Sequence, residues 1–350
     1  MKHYTLKKLA ATALTVAMAL SLAACGGGSG SGSTQPGTSS SNGSSSPSQS
    51  GDTIKIAVVK QMDHPSLDEI ANAVTARLDE IAEENQISIE YEIYSGQGDE
   101  SVLKQIGAQA MSDKVSAIIP IASTAAQLMT VAAEDTKTPV IYAAVSDPEQ
   151  ADLLDLDFVT GTCDALNTPF ILDMMLAQNP DVKKVGLLYS MSEPNSTKPI
   201  AEAKAYLDEK GIAYEEFTAN TNDEVIAATG ALIASGVDAV FTPTDNIIQT
   251  AELAIVSNLI EAGIPHYTGA DSFVRNGAFA TCGVNYTLLG TETANLAYDV
   301  LVNGMESKED YYLSKGGIIT VNKETAAEMG LDYSMFADMG EVVEVTTTED

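Results

Sequence analysis

Short runs of β-branched and aromatic residues alternate with segments of helical period along most of this chain, and few architectures accept that alternation. The runs stand at 54–59, 87–94, 115–121 and 139–145, and again at 184–189, 212–217, 239–241 and 265–267. Strands separated by helices pair in parallel and need both faces covered, which predicts an α/β chain of two doubly wound parallel-sheet lobes. Between the two arrays lies FVTGTCDALNT at 158–168. It reads as a strand, a Gly turn and a helix beginning at Asp164 or Asn167, ahead of the apolar positions Phe170, Ile171, Met174 and Met175. That makes it the first crossing between the lobes. A strand at 278–284, a helix through Leu289, Leu296 and Val300, and a strand at 316–321 bring the chain back near 284 and across again near 310. Three such crossings form a three-strand hinge. The expected lobes are 53–160 with 285–310, and 161–284 with 311–345, able to bend about a cleft.

The first residues carry location. Lys2, Lys7 and Lys8 precede an apolar run at 9–22 that is short for a bilayer span, which is the build of a secretory signal. The run closes on Leu22-Ala23-Ala24-Cys25, which resembles a bacterial lipobox, so residues 1–24 are expected to be removed and Cys25 to be lipidated. Residues 26–51 are almost wholly Gly, Ser, Thr, Pro, Asn and Gln. Such a coil would span about 25 to 30 Å end to end and act as a tether, 25–52, holding the folded part at the outer face of the cytoplasmic membrane.

Charge excludes some partners. Lys and Arg total 18 against 49 Asp and Glu, a formal net charge of -31. Phosphate backbones and anionic lipid headgroups are repelled by that balance, so no nucleic acid partner is expected. Most of the carboxylates read as solvated helix faces. Beyond Cys25 the cysteines are Cys163 and Cys282, one at each of two crossings; they could pair if the crossings lie side by side, or be buried thiols serving as small apolar residues.

The loops after the strands repeat one chemistry. Pro65 and Ser66 open a helix whose apolar positions are Leu67, Ile70, Ala71, Val74, Leu78 and Ile81, which puts Met62, Asp63 and His64 at the carboxyl end of the first strand. Comparable small polar or Asp-bearing loops follow at 122–127, 145–148, 190–196, 242–246 and 269–272. In open α/β sheets this edge is where ligands bind, and the free N–H groups of the helix starting near Ser123 and Thr124 could receive an anion. Catalytic motifs are missing from the pattern. There is no HExxH, GxSxG or Walker loop, and Gly96-Gln97-Gly98 lacks the third Gly of a dinucleotide fingerprint. His64 beside Asp63 and Ser66 could be written as a hydrolase triad, but sequence neighbours rarely reach that geometry. Asp152, Asp155 and Asp157 lack the Gly and Glu of a calcium loop, so neither metal nor cofactor is expected.

The chain resembles substrate-binding lipoproteins of ABC transporters, of the subfamily with tryptophan- and tyrosine-binding members and a type I periplasmic-binding fold. The resemblance spans about 54–333 and rests on IAVVKQMDHPSLD at 56–68, PIASTAAQL at 120–128, YAAVSDP at 142–148, TGTCDALN at 160–167, FTPTDN at 241–246, DSFVRNG at 271–277 and GVNYTLLG at 283–290. It implies a monomer that captures a small zwitterion, an amino acid with aromatic ones among the candidates, and hands it to a permease driven by a cytoplasmic ATPase. On that resemblance, Ser123 and Thr124 would receive the ligand's carboxylate, Asp271 would pair with its ammonium, and Asp147, Asn167, Asn195, Asp245 and Asn246 would orient it. Lys60 stands where relatives often have an uncharged residue; it could accept a second ligand carboxylate or pair with Asp63 or Asp147. With no Trp in the chain, an aromatic ligand would pack on Tyr142, Phe170, Tyr189, Phe273 or Tyr286, each also suited to core packing. A surface sensor or adhesin of the same fold is the alternative, with an exported hydrolase behind it.

Overall fold

A computed structural model describes residues 53–314 and 316–348. The signal, the lipidation site Cys25 and the tether lie outside the described residues. The first half runs β1 (Ile54–Lys60), α1 (Pro65–Asn85), β2 (Ile89–Ser95), α2 (Glu100–Ser112), β3 (Ala117–Ile121), α3 (Ser123–Ala133), β4 (Val140–Tyr142) and β5 (Val159–Cys163). The second continues with α4 (Thr168–Gln178), β6 (Lys184–Tyr189), α5 (Pro194–Lys210), β7 (Ala213–Thr218), α6 (Asn222–Ser235), β8 (Ala239–Thr242), α7 (Asn246–Glu261), β9 (His266–Thr268), α8 (Asp271–Arg275) and β10 (Ala280–Val284). The chain closes with α9 (Tyr286–Asn303), β11 (Tyr312–Leu313), β12 (Gly316–Asn322), α10 (Lys323–Met329) and β13 (Val342–Val345).

Two sheets result, one of six strands in the order β11-β5-β4-β3-β1-β2 and one of seven in the order β13-β12-β10-β9-β8-β6-β7. Each carries helices on both faces, as doubly wound sheets require. The second is not wholly parallel, because β12 returns antiparallel to β10, with Thr281 opposite Thr320. After β11 joins the first sheet, the chain passes directly into the second and enters it as β12 between β10 and β13.

Strand β5 stays in the first sheet through Cys163, past the expected division at 160/161, and β11 joins it there by pairing Tyr312 with Thr162. No Gly turn interrupts this stretch. Gly161 lies inside β5 opposite Tyr142, and a side chain there would run into the Tyr142 ring and carbonyl. The helix begins after Asn167, whose side chain accepts the Phe170 N–H at 3.3 Å, rather than at Asp164.

Helix α1 buries Leu67, Ile70, Ala71, Val74, Leu78 and Ile81, the stripe its spacing predicts. Burying each of the larger side chains contributes about 1.5 to 3 kcal/mol. Helix α9 comes back from the second half to lie along α1, and Gly290 permits the approach: a Cβ there would stand 2.7 Å from the Ile70 carbonyl and 2.8 Å from the Ala73 Cβ. This contact ties the second crossing to the first lobe. Cys163 and Cys282 are both free and buried. Among the described residues no helix is long and apolar enough to cross a membrane.

Candidate functional site

The carboxyl ends of the two sheets face each other, and the loops that follow their strands close on a small polar cavity. It is lined from the first lobe by His64 and Ser66 after β1, Ala122 after β3 and Ser146 after β4. Asn195, Thr244, Asn246 and Phe273 line it from the second, with Asp164 and Tyr286 contributed by the crossings. The cavity holds about 20 Å³, the space of one water. The lobes are therefore closed.

Hydrogen bonds between the lobes hold them there. Gln61 Nε2 donates to Glu193 Oε1 at 2.7 Å, and His64 Nε2 meets Asn246 Oδ1 at 2.9 Å. Ser66 Oγ bonds Ser272 Oγ, and Ser146 Oγ lies 3.3 Å from Thr244 Oγ1. Each partner comes from a loop or first helical turn, where backbone direction is set by the strand before it. Asp245 caps α7 by accepting the Ile247 and Ile248 N–H groups at 3.1 and 3.0 Å, and it also accepts Ser190 N–H at 2.7 Å and Ser196 Oγ at 2.6 Å. Burial raises the Asp245 carboxyl above the usual range, and the four donors act against that rise.

That charge acts on its neighbour. Burial, reinforced by Asp245, pushes the Glu193 carboxyl up to about 8 from an ordinary 4.5, while burial lowers His64 from 6.5 to about 4. An acid with a raised pKa contributes fully below its ordinary value and loses that contribution as pH rises through the raised one. His64, depressed by burial, contributes fully above 6.5 and loses it as pH falls through 4. The closed form is thus expected to weaken by on the order of 2 kcal/mol between pH 6 and pH 8.5 because of Glu193. Glu193→Gln should flatten that decline in melting temperature; equal declines in both proteins would assign the titration elsewhere.

Asp164 is a further carboxylate on the cavity wall. It is 4 % exposed and accepts Ser146 Oγ at 2.8 Å and Tyr286 OH at 3.2 Å. Burial holds its carboxyl above the usual range.

The residues singled out in the sequence divide between places. Asn195, Asp245 and Asn246 line the cavity. Ser123 is buried in the first turn of α3 and Thr124 is half-buried; neither lines the cavity, although Ala122 just before them does. Asp147 is half-buried and does not line the cavity; it lies 3.8 Å from Lys198 on α5 of the opposite lobe. Asn167 caps α4 and opens on a separate hollow of about 370 Å³ at the hinge, shared with Phe170, Cys282 and Leu313. Asp271 faces another hollow with Glu69, and its carboxylate takes Arg275 Nε at 3.0 Å, one turn along α8. Lys60 is held by Asp63 at 2.6 Å and by Asp68, so its charge is spent within its own loop. Of the aromatic residues, Phe273 and Tyr286 reach the cavity. Not assigned to the site were His64, Ser146, Glu193, Gln249 and Asp164; His64, Ser146 and Glu193 lie on the polar loops that follow strands, Asp164 reads in the sequence as a helix start, and Gln249 inside α7 carries no local signal.

Two α/β lobes, three crossings and a polar cavity closed from both sides define a binding protein that grips a small solute. The chain belongs to the ABC transporter substrate binding protein family, whose model matches residues 55–336. That family binds rather than catalyses, so the chain is not an enzyme. It is 30% identical over 252 residues to a tyrosine-binding protein of Clostridioides difficile (strain R20291), covering 70% of this chain and 72% of that one. An ABC domain in complex with L-Trp from Streptococcus pneumonia is 29% identical and superposes with a TM-score of 0.75, over 83% of this chain and all of the other. A ligand-free, open substrate binding protein with adhesive properties from Clostridium difficile is 26% identical, with a TM-score of 0.64 over 85% of this chain and all of that one. The fold is thus type I periplasmic-binding-like.

Proposed function

We propose that this chain is the extracytoplasmic solute-binding component of an ABC importer, anchored through a lipid on Cys25, which captures an amino acid by lobe closure and delivers it to a permease. The observation that carries this reading is the polar cavity bridged by four hydrogen bonds between opposed loops. One water's volume cannot hold an amino acid, so the lobes must part to admit it. Ligand contacts to both lobes then take over from direct lobe-to-lobe bonds and favour closure around the guest. Tyrosine and tryptophan in the relatives support an aromatic amino acid, and Phe273 and Tyr286 supply rings for it to pack on. The closed, monomeric protein docks on the permease, whose ATPase supplies the work.

A melting screen against the twenty amino acids tests this. A ligand at 100 times its dissociation constant should add about 2.7 kcal/mol, a shift of several degrees. No shift with any amino acid would remove the proposal. The adhesive relative favours a second role at the cell surface. Loss of host-surface attachment with unchanged amino-acid uptake, in cells lacking the protein, would select that role.

A further inference from the structure

A chain of hydrogen bonds runs from the surface of the second lobe to the contact between the lobes. After β13 the exposed segment 346–348 lies along the end of α8, where the Thr348 N–H donates to the Arg275 carbonyl at 2.8 Å. Asn276 Nδ2 donates to the Thr348 carbonyl at 3.1 Å. From there Gln249 Nε2 donates to Asn276 Oδ1 at 3.0 Å, Ser272 Oγ donates to Gln249 Oε1 at 2.9 Å, and Ser272 Oγ meets Ser66 Oγ of the first lobe. Asn276, Gln249, Ser272 and Ser66 are all buried.

The direction of this chain is fixed at its outer end. A carbonyl oxygen only accepts, so the Asn276 amide must turn its Nδ2 to Thr348 and its Oδ1 to Gln249. That orients Gln249 in turn, whose Oε1 takes the Ser272 proton. Ser272 is left with lone pairs for the other lobe, and Ser66 must donate. Gln249 and Phe273, next to Ser272 on α8, line the cavity, so the same chain holds part of its wall. Helix α8 has five residues, too few to keep its shape alone. The segment supports it: Thr347 N–H donates to Glu324 Oε2 at 2.9 Å, and Thr347 Oγ1 accepts Asn322 Nδ2, which also donates to the Val274 carbonyl at 2.8 Å. We propose that Thr347 and Thr348 are positioning residues for lobe closure, which set the polarity of the Asn276, Gln249 and Ser272 relay and through it the grip on Ser66 across the cleft.

Ending the chain at Thr346 removes both residues. Amide exchange in the unliganded protein is then expected to quicken about 10-fold at 61–67, in the opposite lobe, because one weakened buried hydrogen bond raises the open population by about that factor. Loosening confined to the second lobe would not reach those amides. In the Ser66→Ala background the same truncation should add nothing at 61–67. Affinity for L-tyrosine and L-tryptophan, the one readout that rests on the solute-capture reading, should fall about 10-fold. Asn276→Asp keeps an acceptor for Gln249 but brings no donor to Thr348, and serves as the second cut should the shortened chain fail to fold. Unchanged exchange at 61–67, or an equal rise with and without Ser66, would overturn the proposal and leave solute capture standing. If the unaltered protein binds neither amino acid, that reading loses its two candidates while the exchange result still decides the role of Thr347 and Thr348.

Discussion

His266→Leu is expected to destabilise the protein by about 3 to 5 kcal/mol, the cost of leaving a buried group without its partner. His266 on β9 is 2 % exposed and Glu252 on α7 is fully buried. The ring's Nδ1 lies 3.0 Å from Glu252 Oε1, and its Nε2 lies 2.8 Å from Thr242 Oγ1. Glu252 Oε2 has no other partner, so removing the imidazole strands the whole carboxyl group beneath the second sheet. Leucine fills similar space, which isolates the polar loss from a cavity effect. Urea unfolding measures it, and His266→Leu combined with Glu252→Leu should recover most of the loss, because an apolar pair leaves nothing unsatisfied. A cost under about 1 kcal/mol would mean that water reaches Glu252.

Gly161→Ala is expected to cost about 3 kcal/mol, at the upper end for one added methyl, and to weaken ligand binding as well. The new Cβ would overlap the Tyr142 ring and its carbonyl. Neither can yield easily. The ring is fully buried, its hydroxyl donates to the Asp310 carbonyl at 3.0 Å, and the carbonyl belongs to β4. Strand β5 must therefore move, and it carries Asp164 one residue beyond its end. A lowered melting temperature with a matching loss of affinity is the expected pair of results. Unchanged stability would show slack between β4 and β5 that the packing does not suggest.

Much of the architecture is written in local periodicity. The α1 stripe from Leu67 to Ile81 recurs every three to four residues, and the strands are short β-branched runs, so each element and its buried face follow from neighbours along the chain. Gly161 shows where that reading stops. A Gly after a strand suggests a turn, but here the opposing Tyr142 requires the absence of a side chain inside the strand, and no local pattern reports what lies across a sheet. Ser123 and Asp271 show the same limit from the other side. Both sit at strand or helix ends where polar residues belong, yet Ser123 is packed away and Asp271 turns to Arg275, an ion pair one helical turn on.

Taken alone, the order of residues determined the alternation of strands and helices and the two parallel-dominated sheets. These depend on periodicities of two and about 3.6 residues that any stretch of chain displays. Tertiary structure alone decided which side chains meet in the cleft. Gln61 and Glu193 are 132 positions apart, His64 and Asn246 182, and Ser66 and Ser272 206. Whether a carboxylate at a loop caps a helix, pairs with an arginine or faces a guest depends on which of these distant groups the closing lobes bring within about 3 Å.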